Sequence, residues 1–285
     1  MSIGRLAALL LALALVLAAP VGCSAHKGHP EVVVGSTPDL ESRLLAAIYV
    51  SALRGYGSAA HAQTAADPMA KLDSGEFTVV PAFTGQVLQR LKPGVAVTSD
   101  KDVYRVMISM LPEGVLAGDY TTSAEDKPAL LVTQATAATW GGKDLPALTK
   151  HCDGLVVGMV AGTHAPSTVG PCRMPVAREF PDGTAMFAAL RAGQLAAAWT
   201  TTADPNIPGD LVVLSDDKPP LIQAENVVPL YRRNALTDRQ LLALNEVAGV
   251  LDTAALADMR RQVAGGADPQ AVADGWMGEH PLGRS

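Results

Sequence analysis

The sequence predicts an α/β fold, and three observations predict it. Short apolar runs of strand length recur along the chain, at 31–35, 77–80, 115–117, 129–133, 155–160, 195–199 and 211–214. Between them lie longer stretches whose apolar residues repeat at helical spacing. Helix-start signals stand at the heads of several of these stretches: Ser36-Thr37-Pro38-Asp39, Ser99 with Asp102, and Thr237-Asp238-Arg239-Gln240. The pattern alone is compatible with one continuous sheet.

Residues 1–22 stand apart from this pattern. Arg5 supplies a short positive region, residues 6–19 are a run of Leu, Ala and Val, and Pro20-Val21-Gly22-Cys23 follows. This reads as a secretory signal, too short for a comfortable membrane span. A small residue before Cys resembles a bacterial lipobox, with Pro20 where Leu is usual. The resemblance implies a lipidated Cys23, a short tether at 23–30 and an extracytoplasmic place on the cell membrane, held by two or more acyl chains. Roughly 260 residues remain, enough for two lobes. Removing the signal takes the net charge from −6 to about −7. That balance, with no basic run interleaved with aromatics, gives no footprint for nucleic acid.

Taken in order, residues 31–35 form a strand. Thr37 is the expected N-cap of the next helix, with Pro38 at its first position and Leu40, Leu44, Ala47, Ile48 and Leu53 on its buried face. Residues 55–66 are small and polar, a loop with at most a weak strand. Residues 75–88, Gly-Glu-Phe-Thr-Val-Val-Pro-Ala-Phe-Thr-Gly-Gln-Val-Leu, read as a strand at 77–80, a turn forced at Pro81 and a helix from Thr84, whose hydroxyl caps it. A helix at 99–110 ends before Pro112-Glu113-Gly114. After the strand at 115–117 comes a polar crossing at 118–128. The strand at 129–133 leads to helices at 134–140 and 145–150. The strand at 155–160, a helix at 184–192, the strand at 195–199 with its Thr-rich end, and the strand at 211–214 complete the middle. Three helices, beginning near Thr237, Asp252 and Asp268, close the chain.

Cys152 and Cys172 are an even pair in a chain read as exported, which predicts a disulfide. Closing that Gly/Pro-rich loop contributes roughly 3 kcal/mol by loop entropy. His151 beside Cys152 lacks the further ligands of a zinc site. No metal site or cofactor is expected. There is no Gly-x-Ser-x-Gly, His-Glu-x-x-His, P-loop or Gly-x-Gly-x-x-Gly, so an enzyme is disfavoured. His26 and His29 fall in the tether, and His61, His164 and His280 in loop-like stretches without obvious partners.

Residues 75–86 resemble the Gly-Glu-x-Asp-x-x-Pro-Glu-Tyr-Thr-Gly-Thr stretch of solute-binding proteins that serve osmoprotectant ABC importers, for glycine betaine, carnitine and choline. Val212-Val213-Leu214-Ser215-Asp216-Asp217-Lys218 with Asn226-Val227-Val228-Pro229 resembles a second block of that family, and the Val34-Gly35-Ser36 opening and Trp276 ending are similar too. The resemblance implies a type II periplasmic-binding-protein-like fold, two lobes joined by two crossing segments. Residues 31–127 plus 225–285 would form one lobe and 128–224 the other, with ligand in the cleft. The implied partners are an ABC permease with its ATPase subunits and a small polar or cationic ligand. A non-transporting scaffold or sensor that keeps the fold is the alternative.

The same resemblance supplies the site. Phe83 stands where the family has a cage Tyr, Ala82 for its Glu and Gln86 for its last Thr. Ser36, Thr37 and Thr84 fall on cleft loops, and Thr201 on the Ser/Thr-rich turn. Glu225 falls near a second cage Tyr, and the ring near 128–130 is missing. Arg173 and His164 compete for the place of the family's carboxylate-binding Arg. With two ring positions empty, glycine betaine is expected to bind weakly or not at all.

Overall fold

The computed structural model describes residues 31–216 and 219–283. The signal at 1–22, the lipidation of Cys23, the tether with His26 and His29, and Asp217 and Lys218 lie outside the described residues.

β1 (Val32–Ser36) opens a first sheet and leads into α1 (Leu40–Gly55). The N-cap of α1 is Asp39 rather than Thr37. Its carboxylate accepts from the Ser42 amide at 2.9 Å and also takes the Thr37 hydroxyl. A carboxylate caps as well as a hydroxyl and adds favourable charge at the helix N-terminus. β2 (Ala60–Thr64) runs parallel to β1 through the stretch expected to be a loop. Its sequence, Ala-His-Ala-Gln-Thr, carries no apolar alternation because the strand lies at the sheet edge and only Ala60 is buried. His61 has a partner there, Glu31 at 3.0 Å. α2 (Pro68–Ser74) follows.

β3 (Val79–Phe83) corrects the reading of Pro81 as a turn. Pro81 sits inside the strand, opposite Pro229 of a strand from the far end of the sequence, Val227–Arg232. The Thr84 amide donates to the Asn226 carbonyl and the Arg232 amide to the Thr78 carbonyl. Hydrogen-bonded pairs thus fall at the even positions of β3, and the two prolines meet where the ladder asks neither for an N–H. β1 has already left β3 after Val34–Val79, so the other edge at Pro81 is free of that demand as well. α3 (Thr84–Leu91) and α4 (Asp100–Met110) come next, then β4 (Val115–Ala117).

The chain then builds a second sheet: β5 (Pro128–Thr133), α5 (Gln134–Trp140), α6 (Leu145–Leu148), β6 (Val157–Val160), the small hairpin β7 (Thr168–Val169) and β8 (Cys172–Arg173), β9 (Arg178–Phe180), α7 (Gly183–Arg191), β10 (Ala197–Thr201) and β11 (Leu211–Val213). Cys152 and Cys172 are bonded, with Cα atoms 5.5 Å apart, and tie the loop before β6 to β8. β12 (Val227–Arg232) returns to the first sheet, and α8 (Asp238–Val250), α9 (Thr253–Ala264) and α10 (Pro269–Glu279) finish the fold. α8 carries the expected capping box between Thr237 and Gln240.

The strand orders are β2-β1-β3-β12-β4 and β11-β5-β10-β6-β9. Each sheet is buried on both faces, and the period of two along a strand divides the core. Val79, Phe83 and Val227 face α1 and the C-terminal helices, whereas Val80, Val228 and Leu230 face α3 and α4. In the second sheet Leu130, Val132, Val157, Ala197 and Trp199 pack on one side, and Leu131, Ala198 and Leu211 with Phe180 and Leu190 on the other.

Two segments, residues 118–127 and 214–226, connect the sheets. They touch at an antiparallel bridge, Glu125 with Asn226, and the Asp126 amide donates to the Glu225 carbonyl at 3.0 Å. Lys127 pins the crossings together, 3.4 Å from Glu125 and 3.2 Å from Asp216.

Candidate functional site

A cleft of about 940 Å³ lies between the two lobes. One wall comes from the first turn of α1 (Leu40, Glu41), the first turn of α3 (Gln86), Glu225 and the last turns of α9 (Arg260, Val263, Ala264). The other comes from the end of β6, the head of α7 and the end of β10 with its turn: Thr163, His164, Asp182, Phe187, Trp199, Thr200, Thr201 and Asp204. A second inter-lobe hollow of about 630 Å³ shares Pro128, His164 and Glu225 with it. The position follows from the topology, because strand ends and helix starts of both lobes converge where the chain crosses.

The lining is acidic. Glu41, Asp126, Asp182, Asp204 and Glu225 face Arg260, the one Arg or Lys of the cleft among the described residues. Arg260 is already engaged, 2.7 Å from Asp126 and 3.0 Å from Glu41. Asp126 joins both lobes, because its other oxygen accepts from the Ala203 amide at 2.9 Å. Burial pushes the Glu41 carboxyl up to about 8, Asp126 adds to the rise, and Arg260 opposes it. Asp204 takes the Thr200 hydroxyl at 2.6 Å, and Asp182 caps α7.

Glu225, only 9% exposed, reaches the N-terminus of α3. Its carboxyl accepts from the Gln86 amide at 2.9 Å and lies against the Gly85 backbone. Gly85 leaves room for it, since a Cβ there would lie 2.6 Å from a Glu225 carboxyl oxygen. Burial pushes this carboxyl up to about 8. The Gln86 and Gly85 amides pull the other way, and Asp126 and Glu125 add to the rise.

Of the residues read from sequence, Gln86, Thr201, His164 and Glu225 meet in the cleft. Thr84 does not cap its own helix. Its buried hydroxyl sits 3.4 Å from the Ala224 carbonyl and accepts from the Asn226 amide at 3.1 Å, fastening β3 to the returning crossing. The N-cap of α3 is Phe83, which has no capping side chain, and Glu225 supplies the missing acceptor from across the sequence. Phe83 is 6% exposed and packs in the core beside α1. Its remaining surface faces a smaller hollow of about 200 Å³ shared with Thr37, Arg90 and Gln86. Ser36 is buried and its hydroxyl has no hydrogen-bond partner. Arg173 is exposed in β8 and is not among the residues that line the cleft.

The sequence reading missed Glu41, Asp126, Arg260 and Trp199. Asp126 stood in a crossing recognised as polar, which was its only signal. Glu41 and Arg260 lie on helices far apart in sequence, and nothing local marks their meeting. Phe187 and Trp199, 5% and 4% exposed, are the only Phe, Tyr or Trp side chains among the lining residues, and both are mostly spent on the core of their lobe. They do not enclose the cleft as a cage would. No group of His, Cys, Asp and Glu arranged to hold a metal occurs among the described residues.

The architecture is shared with solved structures. A structure described as a glycine betaine/carnitine/choline ABC transporter superposes with a TM-score of 0.71 at 17% identity, over 87% of this chain and 98% of that one. Apo YehZ from Escherichia coli gives 0.68 at 18% identity, over 88% and 99%. An ABC-transporter choline-binding protein in complex with choline gives 0.52 at 17%, over 88% and 89%. No curated protein matches the sequence. The profile described as the substrate-binding domain of the ABC-type glycine betaine transport system matches residues 30–164 and 178–279. That match spans both sheets and both crossings, and the chain therefore belongs to the family of ABC-type glycine betaine substrate-binding domains.

Proposed function

We propose that the protein is a lipid-anchored extracytoplasmic receptor that delivers a small polar or cationic solute to an ABC permease and its ATPase subunits. The observation that carries this reading is the inter-lobe cleft, acidic and lined from both lobes, in a chain of this family. Residues 31–127 plus 225–285 and residues 128–224 act as the two lobes. The crossings at 118–127 and 214–226 serve as the hinge that closes them over ligand. Gln86, Thr201 and Glu225 contact the solute. Ser36, Thr37, Phe83 and Thr84 shape the first-lobe side, and Arg173 stands at the periphery of the second. Glycine betaine is a poor ligand, because cation–π contacts of ~0.5–2 kcal/mol each need exposed rings, and Phe187 and Trp199 offer little surface.

A thermal-shift screen of the mature protein against betaines, polyamines, amino acids and sugars tests the reading. A ligand that binds only the folded state raises the melting temperature. An organic cation is expected to do so and glycine betaine is not. A panel without any shift would point instead to a non-transporting scaffold or sensor built on the same fold. Micromolar betaine binding would refute the divergence of the site. Anchoring at Cys23 is tested separately: Cys23→Ala should move the protein from membranes to the soluble exported fraction, and continued membrane retention would reject the lipid anchor.

A further inference from the structure

The N-terminus of α3 is the most evident anion seat in the inter-lobe cleft. Unpaired amides and the partial positive charge of the helix end meet there, and a solute carboxylate would be drawn to it. That seat is already filled by the chain itself. The Glu225 carboxyl accepts from the Gln86 amide at 2.9 Å and lies close against Gly85. The fit is close, because Gly85 is the residue that leaves space for it. Among the described residues, His164 on the opposite wall is the one basic side chain of the cleft not already paired with a carboxylate. Arg260 is held by Glu41 and Asp126, and Lys127 by Glu125 and Asp216.

We infer that Glu225 is a specificity-determining residue that excludes solutes bearing a carboxylate, so that the ligand is an organic cation with N–H donors and no acid group, a primary amine or a guanidinium. The inference rests on the reading of this cleft as the solute site. A ligand carboxylate would have to displace Glu225 from the α3 N-terminus and then lie beside the carboxyls of Glu225 and Glu41, whereas a bound cation favours the ionised form of both. A cation meets the outer face of Glu225 together with Glu41, and its N–H groups find acceptors there and at Thr200 and Thr201. N–H donors matter because the mostly buried rings of Phe187 and Trp199 leave little for a quaternary ammonium to stack against.

The test titrates the mature protein and its Glu225→Ala and Glu225→Gln variants calorimetrically with pairs differing by one carboxylate: cadaverine against lysine, and agmatine against arginine. Choline serves as a cation without N–H. In the wild type the member without the acid should bind about tenfold or more tightly than its partner, and choline more weakly than cadaverine or agmatine. Glu225→Ala should shrink that preference. Acetate is then added during thermal unfolding. It should stabilise Glu225→Ala by entering the vacated α3 amides and leave the wild type unchanged. If Glu225→Ala does not fold, Glu225→Gln decides, since it keeps an acceptor oxygen but cannot ionise against a bound cation and should bind both cations less tightly.

Equal or tighter binding of lysine or arginine by the wild type would overturn the inference. So would choline binding tighter than cadaverine and agmatine, or a preference that survives Glu225→Ala unchanged, or unchanged cation affinity in Glu225→Gln. A wild type that binds none of these compounds rejects the solute-receptor reading of the cleft. Acetate rescue of Glu225→Ala would even then uphold the occupancy of α3 by Glu225, and its failure in the folded variant would remove it.

Discussion

Glu225 and Phe83 show what a single residue does in this fold and how much of it can be read in advance. The resemblance marks Glu225 as a ligand-site acid, standing near a family ring and able to attract a cation or simply to be solvated. Its role as the acceptor at α3 needed the crossing to return beside a helix start 139 residues away in sequence. Its pH behaviour follows from its environment. The folded-state pKa is raised from 4.5 to about 8, as is that of Glu41, so the folded protein binds more protons than the unfolded chain between those values. Their contribution to stability is therefore full below about 4.5 and is lost as pH rises through about 8. The melting temperature of the unliganded wild type should fall across that window, and Glu225→Gln should flatten the fall. An equally steep profile in the variant would remove Glu225 from the account. Phe83, expected past a turn at Pro81 and before a helix, is instead the last residue of β3. Its parity along β3 sends it with Val79 toward α1. Phe83→Ala should accordingly cost about 3 kcal/mol or more in denaturant unfolding. A cost near zero would mean that the ring contributes little to the core.

At the scale of elements, most helices and the apolar strands were legible because their signals are local. Ser99, Thr237, Asp252 and Asp268 cap the helices they were expected to start. The errors came where the partner lies far off. Pro81 looks like a break until Pro229 stands opposite it, and β2 has no apolar pattern because it is an edge strand. β12, an interior strand of the first sheet, was seen only as a family block. The disulfide was readable from an even pair of cysteines in a chain read as exported. It links residues 20 apart in sequence, and such a closure contributes roughly 3 kcal/mol through the entropy of the unfolded chain. Cys152→Ser with Cys172→Ser should lower unfolding stability by about that amount at oxidising potential. No change would show that the β7–β8 loop is held by other contacts, with Val169, Cys172 and Met174 already buried against the second sheet.

At the scale of the whole molecule, the two-lobe plan came from the resemblance and not from periodicity, which fits one sheet as well as two. What divides the strands into two sets is long-range: β12 returns to β3 and β4, while β5, β10 and β11 pair among themselves. The consequence is a cleft whose walls belong to different lobes, joined through Asp126 and the paired crossings. The measurement that tests this account most directly is a crystal structure of the mature protein with the tightest-binding cation from the screen. The account predicts the cation between the lobes, within hydrogen-bond reach of Glu225 or Glu41 on one side and of Thr200 or Thr201 on the other. A cation bound on the outer surface, or touching one lobe alone with the cleft otherwise unchanged, would contradict it.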